Sequence, residues 1–353
     1  MIQRLNFNGF TNFGESEFVF SKGINVFIGK NGTGKTHILK SIAATIDANN
    51  SFEKLHTQAR ERFEAIIAEK LIGYFKPEHL GRLVKRQRGR ANATIEIEIK
   101  NKNIRYSFAT TSKTNVKLEN NDDIPVISSL YLPPREMFSL YEGFLSTYEK
   151  RELSFDETYF MLAKSLDAKT LKGSRFENIR TLIEPLEKAL DIEVLKENGR
   201  FYIRNKQGKF EAHLVAEGIR KLSSIMYLIT NGELNKNTIL FWDEPESNLN
   251  PALIKTVADF IISLAEQGVQ LFIATHDYLL IHLLSLKAEY RSIEKNIPDM
   301  KFFSLQKTDE QLTVEQADTL LKISNNPILD EYAAYFDLEQ EFAQKMFNAK
   351  MNK

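Results

Sequence analysis

At 353 residues the chain can bury a substantial core, as one large domain with insertions or as two domains. Apolar residues at 42% and charged residues at 27% describe a folded chain, and 47 basic residues balance 47 acidic ones, so net charge gives no general case for nucleic-acid binding. Zero cysteines exclude disulfides, thiolate metal sites and a cysteine nucleophile. Nothing approaches eighteen consecutive apolar residues, and "MIQRLNFNGF" lacks the basic-then-apolar layout of a signal peptide. A cytoplasmic protein with no membrane partner is expected.

In chain order, the first strong element is Ile24 to Ile28, a short β-branched and aromatic run that reads as a buried strand. Gly29 ends it, and Gly29, Gly34, Lys35 and Thr36 have the spacing of a P-loop, whose glycines let backbone N–H groups turn around phosphate oxygens. The expected nucleotide-binding set is Gly29, Lys30, Asn31, Gly32, Thr33, Gly34, Lys35, Thr36 and His37, with Thr36 offering its hydroxyl to Mg²⁺. Apolar residues at 38, 39, 42, 43 and 46 predict a helix whose N-terminus adds its partial positive charge to that of Lys35. A second helix is predicted over 51–75, on Leu55, Phe63, Ile66, Ile67 and Leu71.

Between Lys76 and Arg90 six basic residues face one acid, Glu78. This is read as a solvated, mobile loop, with a contact to a phosphate backbone as the alternative. Strict alternation over 93–110, broken by Asn-Lys-Asn, predicts a hairpin that joins residues 1–28 in an antiparallel sheet. Residues 127–135, "ISSLYLPPR", form a further sheet-end segment in which Arg135 can reach a phosphate or make an ordinary surface ion pair. Helical patterning over 145–190, including "YEKRELSFDETYFMLAKSL", predicts a helical lobe, and a second hairpin turns at Asn198-Gly199.

"TILFWDEPESNLNP", 238–251, is another apolar strand, here ending in acid. Asp243 at its tip can hold Mg²⁺, and Glu244 can polarise an attacking water. The strand "VQLFIATHD" follows with His276 at its tip, either a surface histidine or a group that bonds a γ-phosphate or orients water. Three such strands would bring their ends to one edge of a parallel sheet, where α/β proteins place ligands. Glu244, His276 and Lys35 are the expected catalytic set, and Thr36 and Asp243 the expected metal ligands. "DMKFFSLQ" and "QLTVEQ" read as closing strands, and "NPILDEYAAYFDLEQEFAQKMF" as a helix with an aromatic face.

Taken together, the Walker A segment at 29–36, Walker B at 239–244, the "SNLN" turn at 247–250 and the switch histidine at 276 resemble an ABC-type ATPase domain. The same motifs resemble those of RecF-type proteins, the structural-maintenance-of-chromosomes (SMC) ATPases and the overcoming-lysogenization-defect (OLD) family. "LPPREMFSLYEGF", "FDETYF" and "HLVAEGIRKLS" resemble a group of single-chain bacterial AAA-family ATPases, some linked to anti-phage defence. The resemblance implies an α/β P-loop NTPase fold of ABC type: a mixed central sheet, a flanking antiparallel β-subdomain and an inserted helical lobe. It implies one domain over 1–353, with a helical and basic insertion at 51–90, a hairpin at 93–120, the lobe at 145–190, and the signature, Walker B and switch histidine within 215–285. It also implies ATP and Mg²⁺ as ligands and a nucleotide sandwiched between two subunits, hence a homodimer or higher oligomer.

The signature segment falls at "VAEGIRKLSSIMYLI". Gly218 is retained, but Ala216 and Glu217 replace the usual serine and glycine, which implies slow hydrolysis. Arg220, with Lys221, is the expected compensating charge on the partner's phosphate. The lid segment carries Pro133, Pro134 and Arg135 where a glutamine is usual. The leading functional expectation is an ATP-driven switch controlling a separate effector, a nuclease or toxin, in anti-phage defence. A RecF-like DNA-binding ATPase is the alternative, supported by the basic stretch 76–90. A transporter subunit would need the glutamine lid and an intact signature. After His276 the chain is expected to be too short for an OLD-type nuclease domain, so any nucleic-acid cutting would fall to another chain.

Overall fold

The first strand, β1 (Ile2–Asn8), buries Ile2, Leu5 and Phe7 and pairs antiparallel with β2 (Ser16–Val19). The computed structural model describes all residues except 57, 58, 152, 178, 292, 294–296, 309–311, 352 and 353. Beyond β2 the chain enters a different sheet as β3 (Ile24–Gly29), every residue of which is buried. The expected antiparallel sheet therefore takes residues 1–19 and not 24–28. A strand buried on both faces belongs between parallel neighbours, and β3 has one on each side.

Helix α1 (Lys35–Glu53) buries Ile38, Leu39, Ile42, Ala43 and Ile46, as the spacing predicts. It runs farther than expected, and the single helix predicted over 51–75 is broken. A turn follows Glu53, with Leu55 46% exposed, and α2 (Arg60–Phe75) carries Phe63, Ile66, Ile67 and Leu71 inward. Positions 57 and 58 of that expected helix lie outside the described residues. The turn lets Phe63 stack on Phe52 at 4.6 Å, burying two rings that a straight helix would hold apart.

β4 (Asn92–Ile99) and β5 (Lys102–Ala109) form the predicted hairpin through Lys100 and Asn101, both left-handed at φ 52 and 62. A strand that the alternation did not announce, β6 (Lys117–Asn121), completes the order β2-β1-β4-β5-β6, so 93–120 holds more than a hairpin. β7 (Ser129–Leu132) then joins the edge of the parallel sheet.

The lobe comprises α3 (Phe144–Lys150), α4 (Glu157–Asp167), α5 (Ser174–Glu177) and α6 (Arg180–Leu190). The helical reading of 148–166 is interrupted: Arg151 is extended, and Asp156 caps α4 by accepting from the Thr158 N–H at 3.0 Å. Positions 152 and 178 of the lobe lie outside the described residues. β8 (Glu193–Glu197) and β9 (Arg200–Asn205) turn at Asn198-Gly199 as predicted, and an unpredicted β10 (Gly208–Glu211) extends that sheet.

The remaining elements are α7 (Glu217–Thr230), β11 (Ile239–Asp243), α8 (Pro251–Glu266), β12 (Gln270–Thr275), α9 (Tyr278–Glu289), β13 (Met300–Lys307), β14 (Leu312–Ala317) and α10 (Pro327–Met351). Both closing strands are present, although Gln311 of the expected "QLTVEQ" lies outside the described residues. The central sheet has the order β14-β13-β3-β12-β11-β7, parallel except for β14. Alternation splits its side chains between two cores. Phe27, Phe241, Phe272 and Phe303 pack against α1 and the antiparallel sheet, while Val26, Ile28, Leu240, Trp242 and Ile273 face α7, α8 and the lobe. Each buried ring contributes about 1.5–3 kcal/mol. Together they hold the tips of β3, β11 and β12 at one edge.

Candidate functional site

That edge collects the three sequence motifs. The P-loop closes on itself: the Lys35 ammonium donates to the carbonyls of Gly29 at 2.6 Å and Lys30 at 3.1 Å, and Thr33 Oγ1 donates to Lys30 O at 2.9 Å. Lys35 is buried, and desolvation lowers its pKa against the pull of Glu244, Asp243 and Glu246. Gly34 is left-handed at φ 101, and the Phe13 ring lies 2.9 Å from where a Cβ would stand, so both backbone and space demand glycine. The Asn12 side chain donates to Gly32 O at 2.9 Å, a support that no P-loop spacing could announce.

Thr36 Oγ1 donates to Asp243 Oδ1 at 3.1 Å, so the two expected metal ligands from opposite ends of the chain meet directly. The other Asp243 oxygen accepts from Tyr131 Oη at 3.2 Å, on β7. Burial pushes the Asp243 carboxyl up to about 6, a charge that a cation would stabilise. Hydroxyl and carboxylate oxygens with room for phosphate oxygens suit Mg²⁺, which keeps few protein ligands. No group of three or more His, Cys, Asp or Glu residues able to hold a metal occurs among the described residues.

Beyond Asp243 the backbone of Glu244 takes φ 49, a left-handed conformation costing about 1–2 kcal/mol for a residue with a Cβ. Two bonds hold it there: the Glu244 N–H donates to Ala274 O at 2.8 Å, and the Lys221 ammonium donates to Glu244 O. The turn carries the Glu244 carboxylate toward His276, whose Nδ1 lies 3.6 Å from Glu244 Oε1 and 3.7 Å from Glu246 Oε1. Glu246 was not singled out in the sequence, although it stands two residues past Glu244 in "DEPES". It is buried, accepts from Thr275 Oγ1 at 2.7 Å and from the His276 N–H at 3.2 Å, and burial raises its pKa.

The signature segment behaves differently from expectation. Gly218 sits on the "SNLN" turn, where a Cβ would come within 2.6 Å of Asn248 O, and Glu217 Oε1 accepts from Asn248 Nδ2 at 2.8 Å. Arg220 turns inward: its Nε donates to buried Glu136 at 2.8 Å and its guanidinium to Val215 O at 2.6 Å. Lys221 is buried and donates to Pro134 O at 3.2 Å, to Ser247 Oγ and to Glu244 O, with desolvation pushing its pKa down to about 8. Both cations expected to compensate for Ala216 and Glu217 are thus held by their own subunit. Arg135 is exposed at the end of the segment that follows β7.

The basic stretch is also not the free loop that was expected. Leu80, Gly81, Leu83 and Val84 are buried, the Lys85 N–H donates to Gly9 O at 2.8 Å, and Arg82 pairs with Glu78 at 2.8 Å. With Asn12 and His37, residues Arg82, Lys85 and Arg86 line a 510 Å³ cavity beside the P-loop. His37 packs on Phe75 at 5.4 Å, its Nδ1 has no partner, and burial pushes its pKa down to about 4. Only Arg86 to Arg90 remain as an exposed basic tip.

Comparison with known proteins agrees with this geometry. The family model described as "AAA domain, putative AbiEii toxin, Type IV TA system" matches residues 24–282, well over half of the chain. A "DNA replication and repair protein RecF" from Limosilactobacillus fermentum is 25% identical over 155 residues, 42% of this chain and 38% of that protein, so the match spans under half of the relative's length. Among solved structures, an Smc head bound to the C-terminal domain of ScpA, from Pyrococcus furiosus, gives a TM-score of 0.54 at 14% identity, covering 94% of this chain and 99% of that one. An SmcHead bound to the C-winged helix domain of ScpA gives 0.53 at 15% identity, with 90% and 97% covered. No described helix is long and apolar enough to cross a membrane. With the P-loop, acidic strand tip and histidine on one sheet edge, the chain belongs to this AAA-domain family and has the ABC-type fold shared with RecF and SMC heads.

Proposed function

We propose that the protein is a slow, ATP-hydrolysing switch that closes as a homodimer around Mg²⁺ and ATP and controls a separate effector, a nuclease or toxin, in cytoplasmic anti-phage defence. The observation that carries this reading is the meeting of Thr36 with Asp243 at 3.1 Å, with Glu244 and His276 3.6 Å apart beside them. In the proposal, Lys35 exchanges its two carbonyl partners for β- and γ-phosphate oxygens, and the backbone of Gly29 to Thr36 and the side of His37 surround the triphosphate. Mg²⁺ held by Thr36 and Asp243 would neutralise phosphate charge. Glu244 takes the proton of the attacking water, His276 orients that water, and buried Glu246 fixes the histidine backbone.

Inward commitment of Arg220 and Lys221 supports slow turnover, because neither is free to meet a partner's γ-phosphate without first leaving its own subunit. The effector role draws on the toxin–antitoxin wording of the family description. A Glu244→Gln variant tests the reading: it should keep ATP affinity, form an ATP-dependent dimer by light scattering, and lose about 10²- to 10⁴-fold in turnover. Normal turnover in that variant would remove Glu244 from the mechanism.

A RecF-like DNA-binding ATPase is the second reading, favoured by the RecF match and by the exposed Arg86, Arg88 and Arg90. It requires DNA affinity that falls with salt and with Arg86, Arg88 and Arg90 changed to Glu.

A further inference from the structure

Asp243 is clamped from two sides. It stands at the tip of β11 with 2% of its surface exposed, and each carboxylate oxygen accepts from a different hydroxyl, Oδ1 from Thr36 at 3.1 Å and Oδ2 from Tyr131 at 3.2 Å. Thr36 belongs to the P-loop, but Tyr131 comes from β7 and lies outside every sequence motif of the site.

The sheet dictates why this residue reaches Oδ2. β7 runs parallel to β11 with Tyr131 beside Phe241, and alternation puts Phe241 and Asp243 on one face of β11. The Tyr131 ring lies along the Phe241 ring, with 6.2 Å between centroids and 21° between planes, and its hydroxyl extends past that ring to the carboxylate two residues on. A phenylalanine would fill the same buried space. What the hydroxyl adds is the bond to Oδ2, its only hydrogen-bond partner among the described residues.

That bond bears on the choice of cation. Mg²⁺ demands a tight octahedron, whereas Ca²⁺ accepts about six to eight oxygens at longer distances and readily takes both oxygens of one carboxylate. With Oδ2 committed to Tyr131, Asp243 has only Oδ1 to offer a metal.

We propose that Tyr131 is a positioning residue that sets cation specificity: by holding one Asp243 oxygen it keeps the carboxylate a one-oxygen ligand, which favours Mg²⁺ over Ca²⁺. The inference rests on the nucleotide and metal reading above and adds to it a residue of β7.

Binding, not turnover, tests it. Calorimetry of the full chain with a non-hydrolysable ATP analogue, at saturating Mg²⁺ or saturating Ca²⁺, gives the ratio of the two affinities. The wild type should favour the Mg²⁺ complex by at least about tenfold, and Tyr131→Phe should bring the two within about threefold, chiefly by tightening the Ca²⁺ complex. Tyr106→Phe is the control for a purely structural loss, because Tyr106 is also fully buried and its hydroxyl shares a hydrogen bond with Thr45 of α1 at 2.8 Å. Thr45 stands nine residues, or about 13 Å along the helix, beyond Thr36. The control should lower the thermal transition about as much as Tyr131→Phe and leave the affinity ratio unchanged. A wild type that binds both complexes equally, a ratio unaltered in Tyr131→Phe, or an equal shift in Tyr106→Phe would each overturn the proposal. Failure of the wild type to bind nucleotide with either cation would instead remove the reading of the site itself, and this inference with it.

Discussion

The two halves of the nucleotide edge differ in what their charged groups are doing. On the P-loop side, Lys35 is parked on two backbone carbonyls and Thr36 on Asp243, contacts that under the proposed function a triphosphate and a cation would replace. On the signature side, Arg220 is locked to buried Glu136, and Lys221 braces Glu244 and the "SNLN" turn. The first half is arranged to receive a ligand, and the second to hold its own subunit together. Cations of the same charge therefore predict different consequences when removed.

The largest effect is expected at Lys35. Lys35→Ala removes the phosphate-facing charge and should lower ATP affinity by at least about 10²-fold in calorimetry; retained affinity would show that the P-loop binds through its backbone alone. Lys221→Met comes next. It leaves the Glu244 and Pro134 carbonyls without their buried donor, so turnover should fall about 10- to 100-fold while ATP affinity stays within twofold. An affinity loss larger than the rate loss would instead place Lys221 on the ligand.

Arg220→Met separates the two halves further. If Arg220 stays with Glu136, the variant leaves that buried carboxylate unpaired and costs about 3 kcal/mol in denaturant stability with little change in ATP-dependent dimerisation. Weakened dimerisation at unchanged stability would mean that the arginine swings out on closure.

The smallest effect concerns His37. Its folded pKa of about 4 lies below the unfolded 6.5, so the unfolded chain takes up the proton first, and stability is full above 6.5 and falls as pH drops toward 4. The loss should reach about 3 kcal/mol. Asp243 works in the opposite direction, since its raised pKa favours the folded chain at low pH and that contribution is lost as pH rises through about 6. The difference between wild type and His37→Gln isolates the histidine, and a difference that does not vary with pH would remove it as the cause.

Much of the site was legible because its signals are local. Glycine at 34, the apolar run 24–28 and the acids at 243 and 244 each express a constraint that operates within a few residues. The misreadings have a common origin in contacts across long separations. Phe52 and Phe63 bend a predicted helix, Asp156 caps α4 while pairing with Lys40 at 2.5 Å, and Val84 bridges to Phe10, anchoring a loop that composition alone describes as free. Lys221 is expected to offer its charge to a partner's phosphate, yet its ammonium is buried against Pro134, Glu244 and Ser247, residues that adjacent sequence cannot announce.

Periodicity, glycine placement and strand-tip acids were enough to determine a P-loop α/β domain and to bring Lys35, Thr36, Asp243 and His276 to one sheet edge, because backbone sterics and side-chain alternation are short-range. Which cations face a ligand and which brace the protein was decided only by packing. Burial penalises an unpaired charge, and where its partner stands depends on how distant segments of the chain are brought together.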